Sequence, residues 1–168
     1  MTTIRSAGDA DCQAIAEIYN YYIRNTVITF EEQEITSLDI LHRIAEVHSY
    51  GLPWLVSESD GKLCGYAYAT RWNKRAAYRN SAEFSIYLAQ QHVGKGMGTL
   101  LCKTLFALLR EKQIHVIIGG ITLPNAASVA LHEKFGMKKV AHFEQVGYKF
   151  GQWLDVGYWQ TTLTEKHD

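Results

Sequence analysis

The sequence predicts an α/β fold, a mixed sheet with helices on both faces, and three observations predict it. Segments with helical spacing of apolar residues are interleaved with short segments that alternate apolar and polar positions. The first three consecutive strands after the opening helices read as a meander. Within 168 residues there is no repeat, low-complexity stretch or Pro/Ser-rich linker, and the two prolines, Pro53 and Pro124, each sit at an element boundary. One domain spanning residues 1–168 is therefore expected.

In chain order, a short apolar strand at Thr3 to Arg5 precedes Gly8 and Asp9. Ile15, Ile18, Tyr19, Tyr22 and Ile23 then fall on one helical face, with Asp9 or Asp11 at its start. Thr36 and Ser37 can cap a second helix, whose stripe is read as Leu38, Leu41, Ile44 and Ala45 and whose stop is Gly51. From Trp54 the period changes to two: WLVSES, Asp60-Gly61 and LCGYAYATRW form two antiparallel strands with a tight turn. A third strand, Glu83 to Leu88, sets Phe84, Ile86 and Leu88 on an apolar face and Glu83, Ser85 and Tyr87 together on a polar one. After HVGKGMGT comes a helix with Met97, Leu100, Leu101, Thr104, Leu105 and Leu108 on one face, then the strand VIIGGIT. Pro124-Asn125 opens a short helix from Ala126 to Phe135, stopped by Gly136. Two final β segments lie around Lys138 to Gln145 and Asp155 to Leu163.

The formal charge is balanced, 17 Lys+Arg against 17 Asp+Glu, so no long-range field draws the chain onto nucleic acid or anionic lipid. No apolar run approaches the ~18 to 20 residues that cross a bilayer, and MTTIRSAGDADC has no signal-peptide core. A soluble, cytoplasmic protein is expected. Cys12, Cys64 and Cys102 are odd in number and set in apolar patterns, which favours reduced core thiols. No metal is expected, because HEKFG lacks the second His of HExxH. His42, His48, His92, His115, His132, His142 and His167 show no ligand spacing.

Gly94, Gly96 and Gly98 stand between a strand and a helix start, where free backbone N–H groups and the helix dipole favour a phosphate or pyrophosphate. The alternative is a plain flexible connection. The P-loop and dinucleotide fingerprints are both absent. Gly119-Gly120 inside an apolar strand marks a bulge, a close backbone approach, or a sheet irregularity with no ligand.

Gln91-x-x-Gly94-x-Gly96, followed by Asn125, Ser128 and LHEKFGM, resembles the GNAT family of N-acetyltransferases. YNYYIRNTVITFEE, WNKRAAYRNSAEFSIYL, LPNAASVALHEKFGM and GYKFGQWLDVGYWQ are similar to its phosphinothricin and methionine sulfoximine subgroup across nearly the whole chain. The resemblance implies the GNAT acyl-CoA N-acyltransferase fold, an α+β variant with a mostly antiparallel central sheet. It implies acetyl-CoA as cosubstrate, with a glycine-rich binding segment at about residues 91–112. Within it, Ile86, Tyr87 and Leu88 offer strand backbone to the acetyl-pantetheine arm. Gly94, Lys95, Gly96, Met97, Gly98 and Thr99 wrap the pyrophosphate, and Asn125 matches a CoA-contacting Asn.

A thioester is already activated, so an oriented, deprotonated amine attacks it directly and no covalent nucleophile is needed. What remains is a proton acceptor, donors for the developing oxyanion and help for the departing thiolate. The resemblance places Glu83 at the acceptor, with an expected raised pKa or a relaying water. It places His132 where family members commonly carry a tyrosine acid; the alternative is a structural His.

For substrate, the resemblance implies an amino acid with a tetrahedral phosphinate or sulfoximine end, contacted by Asn73, Lys74, Arg75 and Tyr78 and by Glu83, Phe84 and Ser85. Trp72-x-x-Arg75-x-x-Tyr78 fits the phosphinothricin pattern best; sulfoximine enzymes more often carry Arg where Asn73 stands. Phe30 and Glu31 resemble the loop over the same pocket. Two other readings are a CoA-binding sensor without turnover and an acetyltransferase of protein amines. A homodimer is implied, with Tyr148, Phe150, Trp153, Tyr158 and Trp159 as either interface or core.

Overall fold

The computed structural model describes residues 1–163. The described elements run β1 (Thr2–Ser6), α1 (Cys12–Asn25), α2 (Ser37–Ser49), β2 (Trp54–Ser59), β3 (Lys62–Arg71), β4 (Ser81–Leu88), α3 (Met97–Glu111), β5 (Val116–Leu123), α4 (Ala126–Lys134), β6 (Lys138–Lys149) and β7 (Gln152–Thr162). The strands form one sheet in the order β1-β2-β3-β4-β5-β7-β6. Every neighbouring pair is antiparallel except β4 and β5. Element type and order agree with the sequence reading throughout.

The turns follow their chemistry. Asp60 and Gly61 both take positive φ, 50° and 73°, as a two-residue turn matched to strand twist requires. Thr36 caps α2 reciprocally: its side chain accepts from the Asp39 N–H at 3.2 Å while the Asp39 carboxylate accepts from the Thr36 N–H at 2.7 Å, a device that stabilises a helix start by about 1 kcal/mol. Asp11 occupies the N-cap of α1, yet its carboxylate turns back to the Gly8 N–H at 2.8 Å and to a two-pronged pair with Arg5 at 2.7 and 2.8 Å.

Two helix faces differ from expectation. On α2 the buried stripe is Ile40, Ile44 and Val47, whereas Leu38 and Ala45 are exposed. On α3 it is Leu101, Cys102, Leu105, Phe106 and Leu109, and Leu100 is exposed. Both helices carry two apolar rows, and the row that packs is the one facing the sheet. The last two strands are longer than expected and form a hairpin through Phe150 and Gly151. Register shifts at Lys139/Ala141 and Phe143/Gly147 bulge β6 and hide its continuation from an alternation count. Cys12, Cys64 and Cys102 are all buried and free.

The sheet separates two layers. On the face of Ser85 and Tyr87 lie α1 and α2: the Tyr87 ring is 5.0 Å from Tyr19 and 5.2 Å from Tyr22, both edge-on. On the opposite face the Phe84 ring meets Phe106 of α3 at 5.0 Å. This division positions the site, because β4 contributes to both faces at once.

Candidate active site

β4 and β5 pair only over Ser81–Glu83 and Val116–Ile118. Beyond that, β4 stays with β3 and β5 stays with β7, so the two parallel strands part and leave a gap in the sheet. A small cavity of about 60 Å³ fills the gap, lined by Phe84, Ser85, Ile86, Tyr87, Gly120 and His132 among others. It joins two larger hollows. On one side Ile86 and Asn125 continue into a groove of about 380 Å³ before the N-terminus of α3. On the other, Ser85, Tyr87, Gly120 and Thr122 continue into a cavity of about 480 Å³ that contains Glu83. Ile28 lines all three, so the hollows adjoin one another along the gap between the parted strands.

The groove is built from backbone. Gly94 and Gly96 adopt φ of 76° and 81°, a conformation that side chains disfavour, and Gly96 is the N-cap of α3. The first N–H groups of a helix have no intrahelical acceptor, so this end presents donors and the positive pole of the dipole. Gly94, Gly96, Gly98 and Thr99 line the groove; Met97 turns into the core and Lys95 is exposed. Asn125 caps α4 by accepting from the Ser128 N–H at 3.1 Å and also faces the groove. Sequence reasoning missed Lys134, whose Nζ donates to Thr99 Oγ1 at 3.3 Å, and the Tyr22, Ile28 and Leu131 walls. Lys134 stands nine residues after Asn125 on the same helix, a spacing that a search for helix-borne cations would find.

Glu83 carries a carboxyl whose pKa is raised by desolvation. Tyr158, with its ring on the same surface, has its hydroxyl pKa raised by burial and by the Glu83 charge. A Cβ at Gly120 would sit 3.0 Å from the Tyr158 ring and 3.5 Å from Glu83 Oε1, so both groups converge over that glycine. The remaining walls are Ile28, Thr29, Phe30, Phe143, Val146 and Val156, which the sequence did not single out apart from Phe30. Among the described residues no Lys or Arg lines this cavity.

His132 is 4% exposed. Its Nδ1 lies 2.7 Å from the Ser128 carbonyl, which can only accept, so Nδ1 carries the proton. Burial lowers its pKa, so the ring is neutral near pH 7 with Nε2 as an acceptor. Phe84 packs on this ring at 4.9 Å and turns away from the Glu83 face. The substrate-loop residues Asn73, Lys74, Arg75 and Tyr78 do not line the Glu83 cavity. Asn73 Oδ1 accepts from the Arg75 N–H at 3.0 Å, and Lys74, Arg75 and Tyr78 are exposed. Trp72, which leads into the loop, packs edge-on against Tyr158 at 5.7 Å. Among the described residues no cluster of His, Cys, Asp or Glu could hold a metal ion, and no helix is long and apolar enough to cross a membrane.

A family model described as an acetyltransferase (GNAT) domain matches residues 4–157. The chain belongs to the GNAT family. This acetyltransferase is 38% identical over 163 residues to the L-methionine sulfoximine/L-methionine sulfone acetyltransferase of Salmonella typhimurium, covering 97% of this chain and 95% of the relative. It is also 38% identical over 162 residues to the phosphinothricin N-acetyltransferase of Alcaligenes faecalis, covering 96% and 82%. Among solved structures, an acetyltransferase from Salmonella typhimurium with its cofactor acetyl-CoA superposes with a TM-score of 0.94 at 37% identity, covering 99% of this chain and 96% of that one.

Proposed function

We propose that this GNAT domain, residues 1–168, transfers acetyl from acetyl-CoA to the α-amino group of a small amino-acid-like substrate, with phosphinothricin and methionine sulfoximine or sulfone as model compounds. The observation that carries the reading is the row of adjoining hollows, from the glycine groove along the gap between β4 and β5 to Glu83. The groove fits a pyrophosphate, because the left-handed Gly94 and Gly96 clear side chains from the start of α3. Bound acetyl-CoA supplies an activated acetyl thioester, and Gly94 to Thr99, Asn125 and the backbone of Ile86 to Leu88 would hold it.

The chain's own residues then have separable tasks. Glu83, whose pKa is raised by burial, takes a proton from the substrate ammonium in its carboxylate form, directly or through a water. His132, neutral with Nδ1 committed to Ser128, supports an acceptor at Nε2 and not an acid in its resting form. Lys74 and Arg75 would supply the cations that the cavity walls lack, a role supported by the contact of Trp72, which leads into their loop, with Tyr158 of the wall. A substrate carboxylate or phosphinate suits such a fork. Acetylation of phosphinothricin would confer herbicide resistance.

Association as a homodimer is supported by Tyr148, Phe150 and Trp153, which are 56%, 59% and 63% exposed along one hairpin, whereas Trp159 is core. A cytoplasmic location is supported by the three unpaired thiols. The test is thiol release from acetyl-CoA across phosphinothricin, methionine sulfoximine, methionine sulfone, ordinary amino acids, polyamines and peptides. Release with the first three compounds is the expected result. Silence from all amines, with CoA still bound, would favour the sensor reading; turnover confined to peptides would overturn the small-substrate reading.

A further inference from the structure

Lys149, at the end of β6, is 2% exposed. Its Nζ donates to the Thr29 carbonyl at 2.8 Å and lies 5.0 Å from the centre of the Phe150 ring. Among the described residues it forms no ion pair. Glu31 and Glu32 are the acids whose charge reaches it, and Glu31 is already engaged by Arg43 at 2.6 and 3.0 Å and by the Tyr19 hydroxyl. Burial lowers the Lys149 pKa. A buried ammonium whose direct contacts are a carbonyl and a ring face is costly, and an apolar side chain of similar volume is commonly neutral or better for stability. Folding stability is therefore a poor explanation for a cation at this position.

What the cation holds is a wall. Thr29 lies in the irregular segment between α1 and α2, and its neighbours Ile28 and Phe30 line the Glu83 cavity with it. The α-helical side of this segment is fixed by Tyr19, whose hydroxyl is 2.7 Å from Thr29 Oγ1, and by Arg43 on Glu31. On the opposite side stands the β6–β7 hairpin, which supplies Phe143, Val146 and Val156 to the same cavity. Phe30 reaches that hairpin by lying over Gly147, where a Cβ would fall 2.3 Å from its ring. Lys149 is the hairpin's hydrogen bond to Thr29.

We propose that Lys149 is a positioning residue that ties the Ile28–Phe30 wall to the β6–β7 hairpin and thereby sets affinity for the amine substrate, a role that rests on the acetyltransfer reading given above. It touches no reacting group. The closing measurement compares wild type with Lys149→Met and Lys149→Gln. For Lys149→Met the amine KM is expected to rise about tenfold or more, with kcat and the acetyl-CoA Kd within about threefold and the unfolding midpoint unchanged or higher. Lys149→Gln keeps an amide donor for Thr29 and is expected to hold the amine KM within about threefold of wild type. Unchanged KM in Lys149→Met, a parallel loss of all constants with a lowered midpoint, or a Lys149→Gln as impaired as Lys149→Met would each overturn the proposal. If the wild type acetylates no amine, the substrate reading fails by itself. Hydrogen exchange at Ile28 to Glu31 then decides the tie: exchange about tenfold faster in Lys149→Met supports it, and unchanged exchange contradicts it.

Discussion

The imidazole of His132 lies directly over Gly119: a Cβ at that glycine would fall 2.3 Å from Nε2 and 2.6 Å from Cδ2. The contact places a helix-borne ring against the sheet where β4 and β5 part. Gly119→Ala must push the ring aside, because the backbone of β5 is locked into β7 on one edge. The expected outcome is a kcat at least about tenfold lower with the acetyl-CoA Kd within about threefold, and a destabilisation of about 1–3 kcal/mol from overpacking. Steady-state kinetics beside a denaturant titration checks both.

His132 also has a pH signature. Its pKa in the folded protein is depressed by burial, so its neutral form contributes stability that is full above the ordinary value of about 6.5 and is lost as pH falls toward the depressed value. Unfolding midpoints of the wild type are expected to fall over that interval, and those of His132→Gln to lack this component. Nitrogen NMR of the ring is expected to report a proton on Nδ1 at neutral pH.

Asp11 makes the opposite end of the sheet depend on charge. Its carboxyl is held below the ordinary range by the Arg5 hydrogen bonds, with the Gly8 N–H adding to them. The depressed pKa means that this stability is present above about pH 4 and lost as pH falls through the folded-state value. Asp11→Asn is expected to cost about 1–2 kcal/mol at pH 7, the lower part of the charged hydrogen-bond range because Arg5 is half exposed, and the gap to wild type should close in acid.

Much of this was legible in the residues. Period and punctuation identified every element in order, and the polar face of Glu83, Ser85 and Tyr87 survived, although Tyr87 is claimed by the aromatic cluster under α1. Which of two apolar rows faces the sheet was not legible for α2 and α3, since Leu100 and Leu101 differ only in which neighbour they meet. The Gly119-Gly120 pair suggests a bulge, a close approach of backbone, or a sheet irregularity with no ligand. The ladder with β7 runs without a shift from Val116 to Leu123, so there is no bulge there, and the rings of His132 and Tyr158 lie over the two glycines. Phe143 and Val146 could not be seen as cavity walls, because a bulged strand breaks the alternation that would assign them a face. Lys149 gave no signal either: its burial depends on a loop about 120 positions away in sequence.

The most direct test of Glu83 as the proton acceptor is the pH dependence of kcat/KM for Glu83→Gln against wild type, with acetyl-CoA saturating and the preferred amine varied. Expected are a fall of at least about 100-fold at neutral pH, loss of the wild-type rise through the Glu83 pKa, an unchanged acetyl-CoA Kd, and an unfolding midpoint equal to or above wild type because a disfavoured buried charge is removed. A Glu83→Gln enzyme that keeps the wild-type profile would contradict this role and leave the carboxylate in its cavity without a part in proton transfer.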